Sequence, residues 1–322
     1  MNPMDRLDPE LVEPLAGLME ATGGFSLRDI PATRAMVDAM LEGVIAEAPP
    51  TPGIEIEDRM IAGPEQGIEV PVRIYRPEGA SDSLPVLQWM HPGGFVIGSI
   101  AMDELMARQL ASEIGCAVVS VDYRLAPENP YPAALEDCFA VLRWIGDESA
   151  SLGFDAGRIA LGGASAGGGL AAGLALLSRD RGGVAPIYQW LFYPAIDDTN
   201  IEPASESLPD NLFWSRENAR IGWQAYLSGI ADGRDIPLYA APKRATDLRG
   251  LPDAFIGVGT ADMFLAEDLD YAERLSAAGA RVELGVYPGA FHAFDAFAPM
   301  SRVAQAFVAN RNQALARAFN IG

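Results

Sequence analysis

Apolar positions recurring every three or four residues mark two helical stretches at the start of the chain. They lie near 8–20 (Leu11, Leu15, Leu18) and 31–47 (Met36, Met40, Leu41, Ile45). The proline-rich joint from Ala48 to Gly53 ends that pattern. Ile54–Ile61 and Ile68–Tyr75 then read as strands around the turn Gly63-Pro64-Glu65-Gln66-Gly67, and Leu84–Met90 as a buried strand. From there helices and strands alternate. A helix over Met102–Ile114 leads to a strand over Cys116–Val121, and a helix over Ala133–Gly146 to a short strand from Arg158 and a helix from Ala166. Strands at Ile187–Tyr193, Ala254–Gly259 and Val282–Tyr287, with helices at Ala266–Ala278 and Ser301–Phe319, complete the series.

Such alternation predicts an α/β fold with a mostly parallel sheet covered by helices on both faces, and functional loops at the carboxyl ends of its strands. Residues 197–249 break the rhythm: they are loop-rich and acidic, then helical around Arg216–Leu227, with Phe213, Trp214, Trp223 and Tyr226 clustered. The expected division is therefore N-terminal cap helices in 1–50, a core in 51–196, a cap insert in 197–249 and the rest of the core in 250–322. Asp197 and Asp198 read as solvated loop carboxylates.

With 322 residues, 49% of them hydrophobic, the chain can build one large core, and no apolar run is long enough to span a bilayer. Its first residues carry neither a basic segment nor an apolar core, so a cytoplasmic location is expected. A formal net charge of −21 argues against nucleic acid and anionic membranes as partners. Cys116 and Cys138 sit in apolar surroundings without metal-ligand spacing and read as buried free thiols; no metal site is expected.

The chemistry centres on Gly163-Ala164-Ser165-Ala166-Gly167, a G-x-S-x-G pattern between an apolar strand and a small-residue helix. In that setting the serine occupies a sharp, strained turn with its hydroxyl projecting clear of the sheet, and the flanking glycines avoid collisions with neighbouring backbone. A serine hydroxyl needs a base, and the chain has two histidines. His292 lies in the loop after the last strand, on the rim expected to carry Ser165, and is the candidate base. Asp262, just past the strand Ala254–Gly259, is the candidate orienting acid. Glu267, Asp268 and Asp270 are rivals inside the following helix, where a solvated acidic face is the plainer reading. Gly93 and Gly94 follow a buried strand and can aim consecutive N–H groups inward; with the N–H of Ala166 they form a candidate oxyanion hole. Pro92 has no N–H to donate. Phe213 and Trp214, with Phe95 and Phe291, are candidates for substrate contact, whereas Trp223 and Tyr226 read as the cap's own core.

Together these segments resemble the hormone-sensitive-lipase family of α/β-hydrolases, in its bacterial esterase branch. His91-Pro92-Gly93-Gly94-Phe95 is similar to that family's H-G-G-G-F/W loop, and Asp122-Tyr-Arg-Leu-Ala-Pro-Glu128 with Pro130-Tyr131-Pro132 to its signature segment. Gly163–Gly168, Gly250-Leu251-Pro252, the Asp262 turn and His292-Ala293-Phe294 complete the pattern in order. The resemblance implies an eight-stranded α/β-hydrolase sheet with a helical cap. It further implies a Ser165/Asp262/His292 triad, an oxyanion hole from Gly93, Gly94 and Ala166, and His91 ordering the oxyanion loop by hydrogen bonding. Substrates would be short- to medium-chain carboxylic esters, hydrolysed without a cofactor, and family members often pair as homodimers. Three positions depart from the pattern: Pro92 and Ala293 stand where the family has glycine, and Ala164 where it has Asp or Thr. The same machinery also fits an amide, formamide or carbamate hydrolase. A ligand receptor of this fold would have lost the histidine, which this chain keeps.

Overall fold

The structure, a computed structural model, describes residues 6–22, 24–80, 83–199, 213–230 and 235–321. Two helices, α1 (Pro9–Thr22) and α2 (Ile30–Glu47), precede eight strands: β1 (Ile54–Ala62), β2 (Glu69–Pro77), β3 (Leu84–Met90), β4 (Ala117–Val121), β5 (Phe154–Ala164), β6 (Tyr188–Phe192), β7 (Asp253–Gly259) and β8 (Val282–Tyr287). They form one sheet in the order β1-β2-β4-β3-β5-β6-β7-β8. The β1–β2 and β2–β4 pairings are antiparallel and every other pairing is parallel.

Parallel neighbours need crossovers, and the helices supply them. They are α3 (Glu104–Ile114), α4 (Ala133–Asp147), the single turn α5 (Ser149–Leu152), α6 (Ala166–Arg181), α7 (Arg216–Tyr226), α8 (Leu265–Ala277), the single turn α9 (Phe294–Phe297) and α10 (Arg302–Ala318). Side chains alternate through the sheet into two cores. On β3, Val86 and Met90 join the cluster under α4, α6 and α8, whereas Leu87 and Trp89 join the one under α3, α10 and α1.

The pairing register sets the functional rim. Met90 pairs with Gly163, Ala164 with Phe192, Phe192 with Gly257, and Gly259 with Tyr287. The carboxyl ends of β3, β5, β6, β7 and β8 are therefore level, and the loops leaving them meet on one side. Strand β5 begins at Phe154, earlier than the apolar run from Arg158 suggests, because a register shift between Leu84 and Val86 takes up the partly exposed Asp155–Gly157.

The two N-terminal helices go to different places. Helix α1 packs beside the loop that carries His292: Asp8 N–H donates to Gly289 O (3.1 Å), and Leu11 and Leu15 are buried in the α10 core. Helix α2, capped by the Asp29 carboxylate on Ala32 N–H, lies over the loop after β3. There Arg34 donates to Val96 O (2.6 Å) and Ala126 O (2.8 Å) and pairs with Glu128. The expected insert at 197–249 falls partly on 200–212 and 231–234, which lie outside the described residues.

Candidate active site

Strand β5 hands the chain to α6 through Ser165, whose φ of 53° and ψ of −120° lie in a region that side chains other than glycine avoid. The turn is held there because Ser165 N–H donates to Phe192 O and Ser165 O accepts from Ala195 N–H, both at 2.9 Å. Both glycines of the pentapeptide are required. A Cβ on Gly163 would lie 2.2 Å from Gly167 O, and one on Gly167 would lie 2.1 Å from Met90 O. The tight turn thus brings the start of α6 against the end of β3.

His292 Nε2 lies 2.9 Å from Ser165 Oγ, and its Nδ1 lies 2.8 Å from Asp262 Oδ2. The other carboxylate oxygen of Asp262 accepts from Phe264 N–H at 3.0 Å. An acceptor on Nδ1 fixes the tautomer with the proton there, which leaves Nε2 free to accept the serine proton. All three side chains are buried, and aromatic rings fence the imidazole: Tyr193 at 4.8 Å, Phe264 at 5.1 Å and Trp214 at 5.9 Å between centroids. Such walls exclude water and strengthen every polar contact inside.

Beside the serine, the loop after β3 turns back on itself, with Gly93 O accepting from Val96 and Ile97 N–H. Gly93 (φ 129°) and Gly94 (φ 59°) both lie in the left-handed region. Ala166 opens α6, so its N–H has no partner within the helix. His91 braces this loop: Nδ1–H donates to Pro92 O (2.7 Å), the ring stacks on Tyr123 at 4.1 Å, and Tyr123 O–H donates to His91 O (2.7 Å). Burial pushes the His91 pKa down to about 4, so the ring is neutral and serves as a fixed donor.

Comparison with known proteins bears on the family and the fold. Residues 87–296 match the family model of the alpha/beta hydrolase fold. Carboxylesterase NlhH of Mycobacterium tuberculosis is 40% identical over 249 residues, 77% of each chain. The carboxylic ester hydrolase LipN of the same organism is 36% identical over 304 residues, covering 89% of this chain and 78% of its own. A bacterial heroin esterase superposes with a TM-score of 0.92 at 36% identity, over 98% of this chain and 99% of that one. This chain belongs to the α/β-hydrolase family, in its hormone-sensitive-lipase branch.

Several side chains of the hydrolase lie elsewhere than the sequence pattern suggests. Glu267 and Asp268 are not a solvated face: both are buried, because α8 packs its first turn against the sheet. Glu267 accepts from Ile196 and Asp197 N–H and so ties α8 to the loop after β6. Burial pushes both pKa values well up, and the carboxylates of Glu267 and Asp262 add to the effect at Asp268. Asp270 is half-buried in a pair with Arg274. Asp197 and Asp198 are likewise buried ion-pair members rather than solvated, held by Lys243 (2.8 Å) and Arg244 (2.6 Å). Both cysteines are buried and free, as expected, and burial pushes the Cys116 thiol up to about 12.

A narrow cavity opens at Ser165, walled by Gly94, Phe95, Ala195, Trp214, Trp223 and Phe264, with Ala219 and Gly222 behind them. Phe95 and Trp214 therefore reach it. Phe213 does not line it and instead contacts Phe25 (4.9 Å) and Phe297 (4.4 Å). Phe291 is buried in the α10 core, away from the cavity, because the turn that presents His292 points its neighbour down. Trp223 reaches the wall and so is more than cap core, while Tyr226 is buried and stacks on Phe95 at 4.1 Å. Phe264 escaped the sequence reading; its place two residues after Asp262, in the turn that shapes the acid, was the available signal. Ala293, where the family has glycine, takes φ 62°, the left-handed conformation that glycine would adopt freely. A larger surface cavity of about 460 Å³ lies between the β1–β2 turn and α4 and contains none of these groups.

Proposed function

We propose that the hydrolase cleaves carboxylic esters with short acyl chains through an acyl-enzyme on Ser165. The observation that carries this reading is the unbroken hydrogen-bond path from Ser165 Oγ through His292 to Asp262. In the first step Oγ attacks the ester carbonyl carbon while His292 Nε2 takes its proton. The negative charge on the carbonyl oxygen is met by the N–H groups of Gly93, Gly94 and Ala166, each worth about 3 kcal/mol in the transition state. Asp262 stays ionised and stabilises the imidazolium. Collapse expels the alkoxide, which leaves with the proton from Nε2. Water then repeats the sequence on the acyl-enzyme, releasing the acid and restoring the Ser165 hydroxyl. His91 supports the hole by holding Pro92 O, and with it the peptide that leads into Gly93.

Helix α2 and the segment from Phe213 to Tyr226 form the cover over this rim. They are joined by Asn218, whose amide donates to Phe25 O (3.0 Å) and accepts from Leu27 N–H (2.9 Å). The aromatic wall and narrow cavity support short acyl chains over long ones. A series of p-nitrophenyl esters tests the reading: turnover should fall from acetate and butyrate to octanoate. Ser165→Ala should abolish turnover while thermal unfolding still shows a cooperative native state. No turnover of acetate, butyrate or hexanoate would refute the proposal.

A further inference from the structure

Among the described residues four tryptophans are more than nine-tenths buried: Trp89, Trp190, Trp214 and Trp223. Trp89 Nε1–H donates to Asp103 (2.8 Å) and Trp190 Nε1–H to Arg311 O (2.8 Å). Trp214, 8% exposed, has no acceptor for its Nε1–H among the described residues. Among those residues it is also the one buried orphan polar group that belongs to the cavity wall at Ser165. A buried donor without an acceptor is destabilising, so folded proteins seldom keep one without a use.

The ring's orientation points to that use. A Cβ placed on Gly94 would meet Trp214 Cη2 at 2.6 Å and Cζ2 at 3.0 Å. Both atoms belong to the benzene ring, and Cζ2 adjoins the Cε2 that carries Nε1, so the indole packs on the oxyanion loop through the ring edge next to its N–H. The same indole neighbours the imidazole of His292, with ring centroids 5.9 Å apart. The indole therefore neighbours both Gly94, a proposed oxyanion-hole donor, and His292, the proposed base, in the wall of the cavity that opens at Ser165.

We infer that Trp214 is a specificity-determining residue whose Nε1–H binds a second acceptor oxygen of the substrate. The preferred esters are then those with an ether, hydroxyl or carbonyl oxygen within a few bonds of the reacting carbonyl. The inference rests on the reading of Ser165 as an ester-cleaving nucleophile and adds the class of ester. The oxygen sits in the acyl part or the alcohol part, and matched pairs distinguish the two. On the acyl side p-nitrophenyl methoxyacetate is compared with p-nitrophenyl butyrate, and on the alcohol side 2-methoxyethyl acetate with butyl acetate. Each pair exchanges one CH₂ for one oxygen.

The quantity read is kcat/KM for the ether ester over its methylene partner, in the wild type divided by the same ratio in Trp214→Phe. Intrinsic reactivity and any general loss of activity in the variant cancel. A single neutral hydrogen bond predicts a double ratio of about 3–10 in one of the pairs. A double ratio within twofold of one in both pairs overturns the inference while leaving the esterase reading intact. Failure of the wild type to cleave any of the four esters overturns both. Should Trp214→Phe not fold, wild type alone decides through p-nitrophenyl (methylthio)acetate on the acyl side and 2-(methylthio)ethyl acetate on the alcohol side, whose sulfur is a weak acceptor. After division by hydroxide-catalysed rates, the ether should be preferred about 3–10-fold on one side, and equal rates on both would refute the role of the N–H.

Discussion

Asp262→Asn is the substitution that most directly separates the proposed acid from its neighbours. Asp262 accepts two hydrogen bonds, one at each oxygen, from His292 Nδ1–H and Phe264 N–H. An asparagine has one acceptor oxygen for these two donors. If the oxygen keeps Phe264 N–H, the amide NH₂ faces Nδ1 and forces the proton onto Nε2, where it cannot accept from Ser165. If it turns to face Nδ1, the NH₂ opposes a buried backbone N–H, at a cost of about 1–3 kcal/mol. In both arrangements the carboxylate charge is lost. With charge centres about 4 Å apart and an effective dielectric near 20, that charge stabilises the imidazolium by about 4 kcal/mol. This term alone slows the reaction by about 10³, and the added misfit takes kcat/KM down by about 10³–10⁵. The assay is steady-state hydrolysis of p-nitrophenyl butyrate from pH 6 to 9. Asp268→Asn, six positions on and equally buried but without a hydrogen-bond partner among the described residues, is the matched control and should remain within about threefold. An Asp262→Asn enzyme within tenfold of wild type, or an Asp268→Asn enzyme as impaired as Asp262→Asn is expected to be, would refute the assignment of the acid.

Three further outcomes follow from the same contacts. The His91 pKa is depressed from 6.5 to about 4, so below pH 6.5 the unfolded chain takes up a proton that the folded chain refuses. Stability should therefore fall as pH drops toward 4 by about 3 kcal/mol from this group, and urea midpoints for His91→Asn should lack that increment. Asp268 has the opposite sign, its pKa being raised, so its contribution is intact below about 3.8 and is lost as pH rises. Asp268→Asn should accordingly melt higher than wild type at pH 8, with a gain that shrinks toward pH 4. Arg34→Ala leaves Val96 O and Ala126 O without their donor and frees α2 from the oxyanion loop. It should cost about 2 kcal/mol in chemical denaturation and lower kcat more than it raises KM.

Much of the candidate site was legible because its signals are local. A serine between glycines, after an apolar strand and before a small-residue helix, specifies a turn whose geometry depends on its own backbone and immediate neighbours. The collision a Cβ on Gly163 would make with Gly167 is of that kind, whereas the one on Gly167 is with Met90 of β3 and belongs to the packing of the sheet. The level rim followed from the alternation of strands and helices, since right-handed parallel crossovers return successive loops to one edge. Choosing Asp262 over Glu267, Asp268 and Asp270 used only its position just past a strand end, and the structure sets it 2.8 Å from His292.

Burial of charge was not legible, because it depends on which distant cation arrives. Asp197 and Asp198 look solvated until Lys243 and Arg244 fold back over them. Glu267 looks like surface until α8 carries it beneath two backbone N–H groups of the loop after β6. The cavity wall was decided in the same way. Sequence spacing brought Phe213, Trp214, Phe95 and Phe291 forward as one aromatic set, yet packing sends Phe213 to Phe25 and Phe291 into the core, and leaves Trp214 turned toward the oxyanion loop. By itself, then, the order of residues determined the fold, the turn at Ser165 and the placing of Asp262 and His292 at strand ends, since each rests on short-range sterics and period. Only the tertiary structure decided which carboxylates are paired and which rings line the cavity at Ser165, since those depend on contacts between segments far apart in the chain.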